Sequence, residues 1–130
     1  MLLVKHKLDK DNYGGIGLFS DQFITKGDFI WIWDNDVEIT YTIEKFKSLP
    51  EAYKSFLYKY SYQLKNGLIV LNVDNSRFMN HSDTPNTFEM DNGNIVSTQD
   101  INIGNELTCD YNKFNHNNES CGQFLNKDIK

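Results

Sequence analysis

The segment RFMNHSDTPN, residues 77–86, is the most informative part of the sequence. It places the polar side chains of Asn80, His81 and Asn86 in an order that no strand or helix periodicity explains. One interpretation makes the asparagines turn formers and the histidine a bonded core residue. The other makes the stretch a binding segment, which the density of polar neighbours favours. Arg77 is the only arginine of the chain, so a planar guanidinium that braces the segment is expected there.

Two further segments flank this stretch. GGIG, residues 14–17, lies upstream. One interpretation gives it a purely structural role, because any tight turn between strands can use glycine. A dinucleotide fingerprint is excluded, since that motif needs a helix N-terminus directly after its glycines. ELTCDY, residues 106–111, lies downstream and by itself predicts a strand whose final tyrosine packs in a core or an interface.

Together the three segments resemble, in order and spacing, the SET-domain family of protein-lysine methyltransferases. The turn and strand at Lys26–Ile30 and the turn at Ile101–Asn105 extend the resemblance over about residues 2–114. It implies a mainly β (β-rich α+β) fold: a β-clip of short sheets with a pseudoknot and one small helical insert. One SET-like domain is expected over residues 1–130, with a short tail at 115–130.

Hydrophobic periodicity adds the individual elements. Alternating or apolar runs predict strands at Leu2–Leu8, Gly17–Ser20, Phe29–Trp33, Val37–Thr42, Leu68–Leu71, Thr87–Met90 and Asn94–Ser97. Thr42 is placed to cap a helix that begins at Ile43, and Pro50 is expected to break that helix into two pieces.

The resemblance also assigns residues to the site. Tyr111 is implied as the catalytic tyrosine that orients the substrate amine. Cofactor contacts are implied for Gly15, Ile16, Gly17, Arg77, Phe78, Asn80, His81 and Phe124. We expect Asn80 and His81 to be buried and hydrogen-bonded, and their segment to lie beside ELTCDY in the fold.

The candidates for the walls of a lysine channel are Tyr60, Tyr62, Cys109 and Phe114. The alternative for each aromatic residue is that it simply packs in the hydrophobic core. The resemblance implies Phe or Tyr at the position of Cys109 in many relatives, where that residue limits or permits successive methylations. The smaller cysteine leaves more room, so we expect higher methylation states to be accessible.

The reaction implied is methyl transfer from S-adenosylmethionine to the ε-amine of a lysine in a protein substrate, such as a histone or another basic protein. In-line attack on a sulfonium methyl needs positioning and a suitable charge environment, not a metal or a covalent intermediate. A catalytically inactive cofactor- or peptide-binding module, and a β-rich interaction domain with accidental matches, are the alternatives.

Composition limits the remaining classes. The net charge of −5 and the scattered lysines disfavour nucleic-acid binding, and no apolar run is long enough for a membrane span. The two cysteines, Cys109 and Cys121, fit a reducing compartment, and Cys121 with His116 offers too few ligands for zinc, so no metal is expected. We expect an intracellular, cytoplasmic protein; a nuclear location, secretion as an effector and a homodimer stay open.

Overall fold

The computed structural model describes residues 1–114, which fall into two compact units. The first unit comprises Met1–Asp34 and Asp74–Asp110, and the second comprises Asn35–Val73 and the segment that begins at Tyr111. Short strands in small sheets dominate the described residues, which confirms the mainly β prediction. None of the helices in this range has the length and apolar content that a membrane crossing requires.

The helices and strands follow one another closely along the chain. In order they are β1 (His6–Lys10), β2 (Ile16–Ser20), β3 (Phe29–Trp31), β4 (Ile39–Tyr41), α1 (Ile43–Ser48), α2 (Glu51–Tyr60), β5 (Ser61–Gln63), β6 (Ile69–Leu71), a 3-10 turn (Asn75–Phe78), β7 (Asn80–His81), β8 (Thr87–Glu89), β9 (Ile95–Ser97), β10 (Thr108–Cys109) and α3 (Tyr111–Phe114).

Two predicted strands differ from the structure by more than a shortening of their ends. The strand expected at Leu2–Leu8 is divided between partners, because Leu2 bridges to Trp31 whereas β1 pairs with β2 from His6 onward. Periodicity cannot detect such a change of partner. The ELTCDY segment forms a strand only at β10, and Tyr111 begins α3 instead of ending the strand.

In the first unit, β1 and β2 form an antiparallel hairpin, β3, β9 and β8 form a three-stranded sheet, and β7 pairs with β10. Asp11 holds the hairpin turn, because its Oδ1 accepts the N–H groups of Tyr13 and Gly15, each at 2.8 Å. The core contains Leu18, Ile24, Ile30, Ile101 and Leu107, none more than 1% exposed. Burying each such side chain contributes roughly 1.5–3 kcal/mol.

In the second unit, β6 lies between β4 and β5 in an antiparallel sheet. Thr42 caps α1 as predicted, since its side chain accepts the N–H of Lys45. The break at Pro50 is also confirmed, because α1 and α2 lie on either side of it. Phe46 and Leu57 from the helices pack with Ile69 and Leu71 from β6 to form the core of this unit.

Candidate functional site

Two of the three motif segments meet in the first unit as neighbouring parallel strands. Asn80 in β7 lies opposite Thr108 in β10, and His81 lies opposite Cys109. The N–H of Ser82 extends the pairing by donating to the Cys109 carbonyl at 2.9 Å. The prediction that RFMNHSDTPN and ELTCDY lie side by side is therefore confirmed.

Asn86 strengthens this junction with its side chain. Its Nδ2 donates to the Glu106 carbonyl at 2.8 Å, and its Oδ1 accepts the Thr108 N–H at 2.9 Å. The Asn86 carboxamide thus forms the hydrogen bonds that a neighbouring strand would otherwise form with the backbone of Glu106 and Thr108. The turn-former reading of Asn86 is incomplete, because its side chain bonds a segment 20–22 residues away.

The Asn80 side chain connects these strands to the glycine segment. Its Nδ2 lies 3.0 Å from Asp11 Oδ2, 3.2 Å from the Ile16 carbonyl oxygen and 2.9 Å from Glu106 Oε2. A single amide therefore joins the hairpin turn, the start of β2 and the residue that precedes Leu107. All three motif segments are in this way gathered in the first unit.

The carboxylates of Asp11 and Glu106 explain why glycine occupies positions 15 and 17. A Cβ at Gly17 would stand 2.6 Å from Glu106 Oε2 and 3.1 Å from a ring carbon of Phe19, and a Cβ at Gly15 would stand 2.9 Å from Asp11 Oδ2. Both positions thus require a small residue for reasons within the chain. The implied contact of Gly15, Ile16 and Gly17 with a cofactor stays a prediction.

Asp11 and Glu106 place two carboxylates beside the Asn80 amide. Neither carboxylate has a Lys, Arg or His partner among residues 1–114. Hydrogen bonds from the N–H groups of Gly15 and Tyr13 lower the pKa of Asp11 below 3.8, an effect that partial desolvation opposes and Asn80 supports. This carboxyl is therefore an anion at neutral pH.

His81 differs from the prediction, because it is exposed instead of buried, while Asn80 is half-buried. The reason is that β7 is a two-residue strand at the surface. The imidazole is nevertheless hydrogen-bonded, since Nε2 lies 2.8 Å from Asp83 Oδ1. Its Nδ1 lies 3.7 Å from Asp110 Oδ1, which is too long for a hydrogen bond.

Arg77, Phe78 and Cys109 have local roles in the contacts of the first unit. The Arg77 Nη1 donates to the Asp74 carbonyl at 3.2 Å, and its guanidinium lies 4.8 Å from the Phe78 ring centre. These contacts agree with the expectation that the Arg77 guanidinium braces its segment. Cys109 is buried, and its thiol lies 3.9 Å from the Asn80 carbonyl oxygen, the position of a weak donor.

The other predicted site residues belong to the second unit. The Tyr60 ring lies 5.1 Å from the Phe56 ring centre at an interplanar angle of 52° and packs against the core of this unit, and the Lys59 ammonium lies 5.3 Å from the Tyr60 ring centre. Tyr62 in β5 and Tyr111 at the start of α3 are half-buried. Phe114 ends α3, but its side chain and Phe124 lie outside the described residues.

Sequence reasoning missed Asp11 and Glu106 as members of this constellation. In the sequence, Asp11 is an ordinary turn-forming residue before Asn12, and Glu106 is the first residue of the downstream motif. They stand 95 positions apart, and no local pattern links them. The one available signal is that Asp11 lies three residues before GGIG and that Glu106 is the first residue of ELTCDY.

Comparison with known proteins gives the fold an independent basis. The family model of the SET domain matches residues 15–112. A search of curated proteins finds no significant match. A candidate histone methyltransferase of Plasmodium falciparum is similar in structure, with 24% identity and a TM-score of 0.59 over 85% of this chain and 95% of the other.

Two structures of Polycomb Repressive Complex 2 are also similar. A humanized mutant of the Chaetomium thermophilum complex, bound to the inhibitor GSK126, has 19% identity and a TM-score of 0.63 over 89% of this chain. The complex ctPRC2, autoinhibited and bound to S-adenosylmethionine, has 17% identity and a TM-score of 0.64 over 96%. This chain spans only 16% and 17% of those chains, and likeness at such identities shows the fold alone.

Proposed function

The chain belongs to the SET-domain family, and from that membership we propose that it transfers a methyl group from S-adenosylmethionine to the ε-amine of a lysine in a protein substrate. The observation that carries the proposal is the parallel pairing of β7 with β10, joined to the glycine segment through Asn80. The segments that resemble the family motifs are thus adjacent in space as well as ordered in sequence.

The residues around the glycine segment fit the charge of the cofactor. S-adenosylmethionine carries an ammonium, a sulfonium and a carboxylate and so has a net positive charge, and Asp11 and Glu106 offer two carboxylates without a cation partner among residues 1–114. The residues that would hold the cofactor are Gly15, Ile16, Gly17, Arg77, Phe78, Asn80 and His81. When bound, it supplies an activated methyl group that a neutral amine attacks in line.

The chain itself has to position and deprotonate the substrate lysine. A free lysine has a pKa of about 10.4, and an apolar channel next to a positive charge lowers it by disfavouring the ammonium. The Tyr111 hydroxyl would orient the amine, and Tyr60, Tyr62 and Phe114 would supply the apolar walls. The small, buried Cys109 leaves room for di- and trimethylated products.

Charge supports a basic protein as the substrate. Residues 1–34 and 74–110, the first unit, contain twelve Asp and Glu against five Lys and Arg, a formal charge of −7. Residues 35–73 contain four acidic and five basic residues, a charge of +1. The negative field of the first unit favours encounter with cationic peptides such as those of histones, and salt weakens this steering. We place this activity inside the cell, in the cytoplasm.

The test is a calorimetric titration with S-adenosylmethionine, followed by transfer of a radiolabelled methyl group to mixed histones and a basic protein fraction. Saturable binding with label on lysine supports the proposal, and Tyr111→Phe is the matched control that should bind without transfer. Binding without transfer by the wild type would instead favour a catalytically inactive module. Absence of binding would contradict the assignment of this cofactor.

A further inference from the structure

The three-stranded sheet of β3, β9 and β8 has one buried face and one exposed face. In the central strand β9, Ile95 and Ser97 are 6% and 3% exposed, so the pleat directs Val96 between them to the opposite face. Phe29 in β3 and Phe88 in β8 both lie opposite Val96 and are 47% and 48% exposed. The exposed face therefore carries a row of phenylalanine, valine and phenylalanine across all three strands.

The positions beside this row are uncharged. Met90 follows Phe88 by two residues, which places it on the same face, and it is 36% exposed. Asn94 precedes Val96 by two residues, and its Oδ1 accepts the N–H of Trp33 at 3.0 Å. The Phe-Val-Phe face consists of Phe29, Phe88, Met90, Asn94 and Val96. None of these five residues is charged, although 24% of the chain is. A solvated sheet face is normally polar, whereas aromatic residues and methionine without charges are typical of the centre of a protein interface.

The edges of the same sheet are covered, so a partner cannot simply add a strand. Along the outer side of β3, the Leu3 N–H donates to the Ile30 carbonyl at 2.8 Å. Along the outer side of β8, the Thr87 hydroxyl donates to the Thr108 carbonyl at 2.7 Å. Strand addition needs an edge with open hydrogen-bonding groups. A partner of this sheet would therefore pack on the Phe-Val-Phe face.

The exposed area fits the centre of a small interface. A phenylalanine can bury roughly 150–250 Å², so two half-exposed rings together with Met90 and Val96 offer roughly 300 Å² in each copy. Two such faces would bury about 600 Å² of apolar surface, whereas a specific interface needs about 1,000 Å² or more in total. Polar surroundings would have to supply the remainder, which favours a weak association over a permanent one.

The row is complementary to a copy of itself. A twofold axis that passes between two stacked sheets at Val96 sets valine against valine and each phenylalanine against a phenylalanine of the other copy. This holds whether the axis runs along the strands or across them. Such an isologous contact needs one self-complementary patch, and paired aromatic rings are favourable at its two ends. A basic partner would be attracted by the negative first unit, but the five positions of the face offer it no carboxylate.

We infer that the Phe-Val-Phe face joins two copies of this chain in a weak twofold dimer. The inference is independent of the proposed function, because none of the five residues belongs to the predicted site. Each copy has a net charge of −5, so the two copies repel each other electrostatically. Salt screens this repulsion and should strengthen the dimer, whereas it would weaken the binding of a basic partner.

Sedimentation velocity of the full chain at about 1–100 μM tests the dimer. We expect the sedimentation coefficient to rise with protein concentration and, at a fixed concentration, with added NaCl. Phe88→Lys should raise the dissociation constant by about 100-fold or more, because a 10-fold effect at each of two equivalent sites multiplies. Ile103→Lys is the matched control: it makes the same change of charge at an apolar side chain that is 65% exposed outside this sheet, and the dissociation constant should not change beyond the small effect of charge.

The outcomes decide between the possible occupants of the face. A wild type that sediments as a monomer throughout this range would overturn the proposal. If Phe88→Lys then also lowered the stability in urea unfolding, another segment of the same chain would be the occupant. A dimer that Ile103→Lys disrupts as strongly as Phe88→Lys would overturn the choice of this face.

A measurement on the wild type keeps the test valid if Phe88→Lys does not fold. In a mixture of isotope-labelled and unlabelled chains, filtered NMR spectra report only contacts between different copies. The Val96 methyl groups of one copy should show contacts with Phe29, Phe88 or Val96 of the other. A dimer without any of these contacts would overturn the assignment of its interface to this face.

Discussion

Gly17→Ala should destabilise the protein through Glu106 and not through the backbone. The added Cβ would lie 2.6 Å from Glu106 Oε2, and ordinary contact begins at 3.4 Å, so the carboxylate has to retreat by about 0.8 Å. Gly17 does not have a positive φ, so alanine is compatible with the strand conformation. The retreat stretches the 2.9 Å bond to Asn80.

The magnitude follows from two opposing effects. Hydrogen bonds to charged groups contribute roughly 1.5–3 kcal/mol, and the partial exposure of Glu106 reduces this to about 1–2 kcal/mol. Alanine lowers the entropy of the unfolded chain, which offsets about 0.4–1 kcal/mol. We expect the free energy of unfolding to fall by about 0.5–1.5 kcal/mol.

A double-mutant cycle isolates the cause. Urea unfolding, followed by the fluorescence of Trp31 and Trp33, gives the effect of Gly17→Ala in the wild type and in Glu106→Ala. Without the carboxylate, only the gain of about 0.4–1 kcal/mol from the unfolded chain and the 3.1 Å approach of the Cβ to the Phe19 ring remain, so the coupling should be about 1–2 kcal/mol. Gly15→Ala is the matched control, because its Cβ meets Asp11 and its effect should be the same in both backgrounds. Equal effects of Gly17→Ala in the two backgrounds would refute the steric reasoning.

Three further predictions concern catalysis, pH and helix capping. Tyr111→Phe should reduce methyl transfer by several orders of magnitude in a radiolabel assay and leave the Kd for S-adenosylhomocysteine unchanged, because the hydroxyl acts mainly in the transition state; unaltered turnover would remove the assigned role. Burial raises the pKa of Glu89 from 4.5 to about 7, so the stability it contributes is present below pH 4.5 and lost as the pH rises through about 7. Glu89→Gln should therefore gain stability relative to the wild type across that interval in urea unfolding, and a constant difference would contradict the raised pKa. Thr42→Ala should lower the free energy of unfolding by about 1 kcal/mol, since it deletes the cap on the Lys45 N–H; no change would show that the cap contributes nothing.

Features of the fold that depend on one residue and its sequence neighbours were predictable. The cap at Thr42 and the break at Pro50 depend on the chemistry of one residue and its immediate neighbours, and both are observed. The central parts of the predicted strands at Phe29, Ile39 and Ile69 are strands as well. The first strand was misplaced because the chain changes partner between Leu2 and β1, a property of pairing that periodicity does not contain.

The family was predictable from the sequence, because the order of GGIG, RFMNHSDTPN and ELTCDY is a property of the chain, and the SET-domain match over residues 15–112 confirms it. Tertiary structure alone decided which groups surround Asn80. Its partners Asp11 and Glu106 lie 69 and 26 positions away, and strand register, not local propensity, brings them within 3.0 Å. The exposure of His81 was decided in the same way, since burial depends on what the rest of the chain places over a residue.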